Sequence, residues 1–243
     1  MTTDRVDQYR AARDAVLARI EAACARSRRE PGQVTLLAIS KTVPPDRLRD
    51  AVAAGLDWLG ENRVQEGVAK APEVPGASWH LVGPLQGNKA RKAIEVFESI
   101  QSVDSVVLAE RLDRLAGELR PATRYPVLLQ VNVDDDPAKA GFEPAALEST
   151  IDGLVGLDHL EIQGLMTIGR LAPEPESART TFQRLRELSE RLREAGAPIG
   201  VALSMGMTDD FEIAVEEGAT IVRVGRALFG ERPHDHGGGP HAH

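Results

Sequence analysis

Hydrophobic and polar positions along the chain form two alternating kinds of segment. Short and nearly continuous apolar runs, such as Val34 to Ile39, are typical of strands that are buried on both faces. Longer stretches with an apolar residue every three or four positions, such as 177–195, are typical of helices that bury one face. The pattern predicts strands at 34–40, 57–61, 78–82, 99–103, 126–133, 160–166, 200–204 and 220–224. It predicts helices at 5–29, 45–54, 63–70, 88–97, 105–119, 144–153, 177–195, 209–217 and 226–229.

The regular alternation of strand and helix predicts the fold class. Eight β-α units with short connections close into a parallel barrel, for which 243 residues is an ordinary length. We therefore predict an α/β protein with one domain over residues 1–230, a (β/α)8 TIM barrel with an extra N-terminal helix. The His- and Gly-rich tail at 231–243 is predicted to be disordered. A doubly wound open sheet is the alternative, but it usually carries a glycine-rich turn after its first strand, and residues 40–45 contain no glycine.

Composition and charge argue against several classes of function. The net charge of −8 is unfavourable for a nucleic-acid or anionic-membrane partner. The single cysteine, Cys24, can form neither an internal disulfide nor a thiolate metal cluster. No apolar run approaches the roughly 20 residues that span a bilayer, and the N-terminus does not resemble a signal peptide. We expect a cytoplasmic protein, and a monomer, because no long exposed apolar stretch stands out.

Lys41 stands at the end of the first predicted strand, where Ser40-Lys41-Thr42 begins a loop. Partial desolvation at such a position lowers the pKa of an amine, because the charged form loses hydration. An amine that loses its proton readily can form a Schiff base with an aldehyde. Of the five lysines in the chain, Lys41 alone directly follows a predicted buried strand. An ordinary solvated lysine is the alternative interpretation.

The ends of predicted strands seven and eight carry the features of a phosphate site. Ligands of (β/α)8 barrels bind at the C-terminal ends of the strands, and phosphate commonly binds after strands seven and eight. Ser204 and Thr208 supply hydroxyls there, and Gly206 and Gly225 let the backbone approach an anion closely. The alternative is that the glycines serve turns and the hydroxyls cap helices.

Other polar side chains fall within or just after predicted strands. Arg223 lies between apolar neighbours and is predicted to point into the barrel, where it needs an acceptor such as Glu61 or a ligand ring nitrogen. Asn62, His80 and Met166 are further candidate contacts of a bound cofactor, although His80 and Met166 also suit a buried core. The four histidines of the tail lack a rigid frame, so no metal site is predicted.

A strand-end lysine and a phosphate site at the same end of one barrel suggest a ligand that carries both an aldehyde and a phosphate. Pyridoxal 5′-phosphate (PLP) has both groups, and lysine Schiff bases are its usual anchor. A barrel that binds a different phosphorylated metabolite, without covalent chemistry, is the alternative.

Five segments resemble the pyridoxal phosphate homeostasis proteins: LLAISKT at 36–42, GENRVQE at 60–66, WHLVGPLQGNK at 79–89, GLMTIG at 164–169, and the run 203–230. The resemblance implies a barrel like the N-terminal domain of alanine racemase, with PLP held as a Schiff base on Lys41 and with Arg223 near the pyridine nitrogen. It implies that the phosphate is bound by Ser204, Gly206, Met207, Thr208, Gly225 and Arg226. Thr208 stands where the family usually has a serine. Arg226 stands where the family often has a threonine.

The resemblance implies a role in intracellular PLP (vitamin B6) homeostasis. The residues favour a carrier and regulator over an efficient enzyme, because a protonated Arg223 disfavours a second positive charge on the ring nitrogen and so weakens carbanion chemistry. A racemase of this type takes a tyrosine from an extra domain that is not expected here, and Tyr9 and Tyr125 do not lie at strand ends. The expected recipients of PLP are apo-enzymes or amines. The alternative is a PLP-dependent, racemase-like enzyme whose second base is His80 or comes from another subunit.

Overall fold

The computed structural model describes residues 3–169 and 174–230, and within them eight parallel strands close into a barrel in chain order. Each strand pairs with its neighbour in sequence, and the first strand closes the barrel by pairing with the eighth. The predicted barrel is therefore confirmed, and the open doubly wound sheet is wrong. The strands are β1 Thr35–Ile39, β2 Trp58–Glu61, β3 Ser78–Leu81, β4 Ser99–Val103, β5 Tyr125–Gln130, β6 Leu160–Met166, β7 Ala202–Met207 and β8 Ile221–Val224.

Helices follow the strands and cover the outside of the barrel, as the periodicity predicts. In α7, for example, Phe182, Leu185, Leu188 and Leu192 are all buried on one face. The α-helices are α1 Thr3–Ser27, α2 Pro45–Ala53, α3 Val64–Lys70, α4 Ala90–Val96, α5 Val106–Leu119, α6 Pro144–Val155, α7 Arg179–Glu194, α8 Phe211–Glu216 and α9 Arg226–Phe229.

The extra N-terminal helix α1 packs against α2, α8 and α9, on the side where the barrel closes. Its buried residues include Tyr9, Val16, Ile20 and the single cysteine, Cys24. At the edge of this contact Arg19 donates to Glu212 of α8 at 2.9 Å. The helix therefore covers the outer surface beside β1 and β8.

Two apolar layers lie on opposite faces of the barrel wall. Ala38, Leu59 and other outward-facing strand residues join the helices in one continuous core. Alternate residues face inward, and a Cβ added to Gly60 would meet the side chains of Leu37 and Ile39. The interior also buries four polar strand residues, His80, Gln101, Ser204 and Arg223.

Two strands, β5 and β7, each end three residues away from the predicted position. β5 ends at Gln130 instead of 133: the N–H of Val131 still donates to Met166 of β6, but the N–H of Asn132 donates to the carbonyl of Phe142 instead. β7 runs from Ala202 to Met207 instead of 200–204, with a register shift against β8 between Ser204 and Met207. Asn132 therefore lies in a loop, and Ser204 lies inside a strand.

No helix among the described residues is long and apolar enough to cross a membrane. The tail at 231–243, with its predicted disorder and its four histidines, lies outside the described residues. The extent of the domain, 1–230, stays a prediction.

Candidate functional site

Lys41 lies two residues beyond the end of β1, at the C-terminal edge of the barrel. We call this edge the barrel mouth; Lys41, Asn62, Thr208 and Gly225 follow four of its strands. Lys41 is half-buried, and it follows directly on a strand whose Leu37 and Ile39 face inward.

The closure of the barrel brings Lys41 beside the end of β8. Ala38 pairs with Val224 across the β1–β8 seam, so the two strands end at the same level. A Cβ added to Gly225 would lie 3.5 Å from the Cβ of Ile39. The loop that carries Lys41 and the loop that begins at Gly225 are therefore neighbours.

Arg223 projects into the barrel from β8, as predicted, and only 4% of it is exposed. One guanidinium nitrogen donates to the carbonyl of Ser204 at 2.7 Å and to its hydroxyl at 2.8 Å. The other donates to the carbonyl of Thr167 at 2.7 Å. Burial lowers the pKa of Arg223 to about 10, which still leaves it protonated at neutral pH.

Glu61 is not the partner of Arg223, so that predicted alternative is wrong. Gly60 faces inward, and Glu61, the next residue on β2, therefore faces the helices. Its carboxylate accepts hydrogen bonds from Ser40 at 2.8 Å and from Lys70 of α3 at 2.7 Å. The hydrogen bonds of the Arg223 guanidinium within the described part of the chain go to neutral oxygens.

The backbone at the end of β7 is constrained by close packing and by a hydrogen bond. Gly206 has a φ of +88°, and a Cβ there would lie 2.5 Å from the Cβ of Ala214. The next N–H, that of Met207, donates to the carboxylate of Asp210 at 2.6 Å. Burial raises the pKa of Asp210, although the hydrogen bond from Met207 opposes this shift.

Thr208 and Gly225 join the loops after β7 and β8. The N–H of Gly225 donates to the Thr208 hydroxyl over 3.3 Å, a long bond that leaves both groups within reach of a third. Arg226 is exposed, and its guanidinium is paired with Asp209. Ser204 lies deeper, since its fully buried hydroxyl donates to Gln101 at 2.7 Å.

The remaining predicted residues lie at different depths in the barrel. Asn62 follows β2 at the mouth, and Met166 is fully buried at the end of β6. His80 stacks on Trp58, with ring centroids 4.4 Å apart, and contacts the Ser78 hydroxyl at 3.1 Å. Trp58 and Ser78 begin their strands, so the His80 ring leans away from the mouth. This geometry favours a core role for His80.

Sequence reasoning missed three contributors to this arrangement: Gln101, the carbonyl of Thr167 and the carboxylate of Asp210. Gln101 is a polar residue in a strand whose five residues are all buried, which is a usable signal of an internal hydrogen bond. The Thr167 carbonyl carries no sequence signal, because every residue has one.

A cavity of about 850 Å³ lies at the opposite end of the barrel. Its lining includes Arg29, Arg124 and the starts of β6 and β7, and it contains none of the predicted site residues. The mouth, at the other end of the barrel, is instead where Lys41, the buried Arg223 and the loops that carry Thr208 and Gly225 come together.

Comparison with known proteins identifies the family. Residues 13–233 match the model of the alanine racemase N-terminal domain. A curated relative from Pseudomonas aeruginosa, named pyridoxal phosphate homeostasis protein, is 43% identical over 222 residues, which are 89% of this chain and 93% of the relative. The chain belongs to the pyridoxal phosphate homeostasis protein family.

Solved structures extend the comparison of this family member. PipY of Synechococcus elongatus PCC7942, solved with PLP bound, is 43% identical and has a TM-score of 0.77 over 88% of this chain and 100% of PipY. Alanine racemase of Clostridium difficile has a TM-score of 0.71 but only 17% identity, over 97% of this chain and 62% of the racemase. The racemase therefore shares the fold.

Proposed function

We propose that this protein binds PLP covalently through Lys41 and acts in intracellular PLP homeostasis as a carrier and regulator. The observation that carries the proposal is the seam between β1 and β8, which sets Lys41 beside the loops after β7 and β8. PLP supplies an aldehyde for the amine and a phosphate for those loops. The PLP-bound structure of the 43% identical PipY supports this assignment.

Within this proposal the phosphate is held by the loops after β7 and β8. Thr208 and Gly225 supply a hydroxyl and an N–H, Gly206 and Met207 shape the backbone, and Arg226, whose guanidinium pairs with Asp209, is the remaining contact. Asn62 lines the approach, and Met166, fully buried at the end of β6, packs beneath it as a further candidate contact. Ser204 acts from below, because its hydroxyl already bonds Gln101 and Arg223.

Arg223 is proposed to face the pyridine nitrogen. It is a buried cation whose hydrogen bonds in the described part of the chain go to neutral oxygens, and the nearby charge of Asp210 helps to keep it protonated. Because it stays protonated, it disfavours a proton on that nitrogen and so reduces the electron-withdrawing power of the ring. This arrangement favours holding the cofactor over carbanion chemistry on amino acids.

The positions of the tyrosines support a carrier over a racemase. The Tyr125 hydroxyl is buried at the start of β5 and donates to the carbonyl of Phe97. The Tyr9 hydroxyl, on α1, accepts from Arg47 at 2.8 Å. Neither residue lies at the mouth, where a second acid or base would act. We include in the proposal a cytoplasmic location, a monomeric state and delivery of PLP to apo-enzymes.

The decisive experiment is the near-visible spectrum of the purified protein with PLP, before and after borohydride, followed by peptide mass analysis. We expect an absorbance band that borohydride removes and a mass increment on the Lys41 peptide. The band is absent in Lys41→Arg, while Lys92→Arg, a control at an exposed position of α4, behaves as wild type. A band that survives in Lys41→Arg contradicts the covalent assignment. Rapid solvent-deuterium exchange at the α-carbon of an amino acid, lost in Lys41→Ala, favours an enzyme instead.

A further inference from the structure

An ionic cluster, buried at Glu61 and Lys70 and partly exposed at Glu66, lies beside the turn that carries Lys41, on the outer face of the barrel wall. Lys70 of α3 donates to the carboxylate of Glu61 at 2.7 Å and to that of Glu66 at 3.1 Å. The side chain of Glu61 is fully buried and that of Lys70 is 10% exposed. We call these three residues the Lys70 cluster.

The Lys70 cluster holds the chain on both sides of Lys41. On the N-terminal side, Lys70 donates to the carbonyl of Ser40 at 3.0 Å, and the Ser40 hydroxyl donates to Glu61 at 2.8 Å. On the C-terminal side, the N–H of Thr42 donates to Glu66 at 3.2 Å. Lys41 is therefore the central residue of a turn whose two flanking residues are both fixed from outside the barrel.

The turn needs this support because its backbone is strained. Thr42 has a φ of +66°, a left-handed conformation that is unfavourable for a β-branched residue. Such conformations persist only where surrounding contacts determine them. The bond from Thr42 to Glu66 is one such contact. Burial alone would raise the pKa of Glu66, but the hydrogen bonds from Thr42 and Lys70 outweigh it and lower that pKa.

Stability alone does not account for the Lys70 cluster. Burying an ion pair costs desolvation that a packed apolar pair avoids. Here one oxygen of Glu61, Oε2, has no hydrogen-bond partner within the described residues. Burial raises the pKa of Glu61, while the bonds from Lys70 and Ser40 lower it. What the ionic groups provide is hydrogen bonds that fix the chain at Ser40 and Thr42.

We propose that the Lys70 cluster positions Lys41 for covalent bond formation at the barrel mouth. This proposal rests on the proposed function. Lys41 reacts as its neutral amine, adding its nitrogen lone pair to the aldehyde carbon, and the aldehyde oxygen leaves as water with the two amine protons. The cluster fixes the direction from which the amine approaches. Glu66 is therefore a positioning residue that does not touch the ligand.

The test compares PLP with 4′-deoxypyridoxine 5′-phosphate, which keeps the ring and the phosphate but has no aldehyde. In Glu66→Ala we expect covalent bond formation with PLP to slow by about tenfold, because small misplacement of a reacting group has large kinetic effects. Binding of the deoxy compound stays within about twofold of wild type. Glu95→Ala removes an exposed glutamate that pairs with Lys92 on α4, and it serves as the matched control.

Two conservative variants separate positioning from charge. Glu66→Gln keeps an oxygen that can accept from Thr42 and should restore most of the rate. Glu66→Asp keeps the charge but shortens the arm, and should slow the reaction as Glu66→Ala does. If Glu66→Ala fails to fold, the rates of Glu66→Gln and Glu66→Asp test the proposal in its place.

Several outcomes overturn the proposal. One is a rate of covalent bond formation in Glu66→Ala and Glu66→Asp that equals the rate in Glu95→Ala. Another is an equal loss of binding affinity for PLP and for the deoxy compound. If wild-type protein binds PLP without modifying Lys41, the proposed function itself fails, and this result is distinguishable because it does not involve a variant.

Discussion

Arg223 and Ser204 are joined by two hydrogen bonds inside the barrel, 2.7 Å to the Ser204 carbonyl and 2.8 Å to its hydroxyl. The same hydroxyl donates to Gln101 of β4 at 2.7 Å. Because β4 and β7 are not neighbours, this chain of bonds crosses the barrel interior. It anchors the buried cation through neutral oxygens, while the nearby carboxylate of Asp210 acts on it through charge alone.

Ser204→Ala should destabilise the protein, because the substitution removes the hydroxyl that donates to the buried Gln101 and accepts from Arg223, which keeps only its bonds to backbone carbonyls. The expected loss in free energy of unfolding is about 1–3 kcal/mol. Ser189→Ala is the matched control, since Ser189 is equally buried in α7 but its hydroxyl has no described partner. Urea unfolding of both variants measures the difference. Equal midpoints for the two variants would show that the Ser204 hydroxyl contributes nothing.

Arg223→Gln should weaken PLP binding, because the amide can still reach a neighbouring oxygen but carries no charge. A charge-assisted hydrogen bond contributes about 1.5–3 kcal/mol, so the dissociation constant should rise at least tenfold, measured by equilibrium dialysis. Arg91→Gln is the control, as Arg91 is an exposed residue of α4 that pairs with Glu118. An unchanged constant in Arg223→Gln removes Arg223 from the proposed site.

Much of the fold is predictable because it depends on local patterns. The run Val34 to Ile39 has the length and apolarity of a buried strand, and the face of α7 follows from leucine spacing alone. The barrel follows from the count of such units. The position of Lys41 at the mouth needs nothing more than the end of β1.

Partners across the barrel are not predictable in the same way. Periodicity assigns Glu61 and Arg223 to buried strands, but which face each occupies depends on register, and a shift of one residue reverses it. Glu61 faces α3 and meets Lys70, whereas Arg223 faces inward. The end of β7 escaped prediction for a related reason, since Gly206 is a turn-forming residue that the barrel accommodates within a strand.

His80 should make stability depend on pH. Burial among neutral groups lowers its pKa from 6.5 to about 4. The unfolded chain therefore binds more protons between these values, and the free energy of unfolding falls as pH drops from about 6.5 towards 4. The contribution of neutral His80 to the free energy of unfolding is fully present above pH 6.5. At pH 4 about 3 kcal/mol of this contribution is lost.

The measurement compares urea unfolding of wild type and His80→Phe at pH 7, 5.5 and 4. Phenylalanine keeps an aromatic ring against Trp58 but cannot titrate. Wild type should lose about 3 kcal/mol more than the variant over this range. Parallel pH profiles would mean that His80 accepts its proton in the folded state as readily as in the unfolded one.

Gly206→Ala should affect both stability and binding, because the site needs glycine for two reasons. Its φ of +88° is strained for alanine, and the added Cβ would lie 2.5 Å from the Cβ of Ala214. Gly196→Ala, at a φ of +93° with nothing within 4 Å, carries the strain alone. We expect about 1–2 kcal/mol of destabilisation at Gly196 and about 1–3 kcal/mol more at Gly206. Because relief of the contact shifts Met207 and Thr208, PLP affinity should fall only in Gly206→Ala. Equal effects of the two substitutions would mean that helix α8 yields to the extra methyl group without moving the loop.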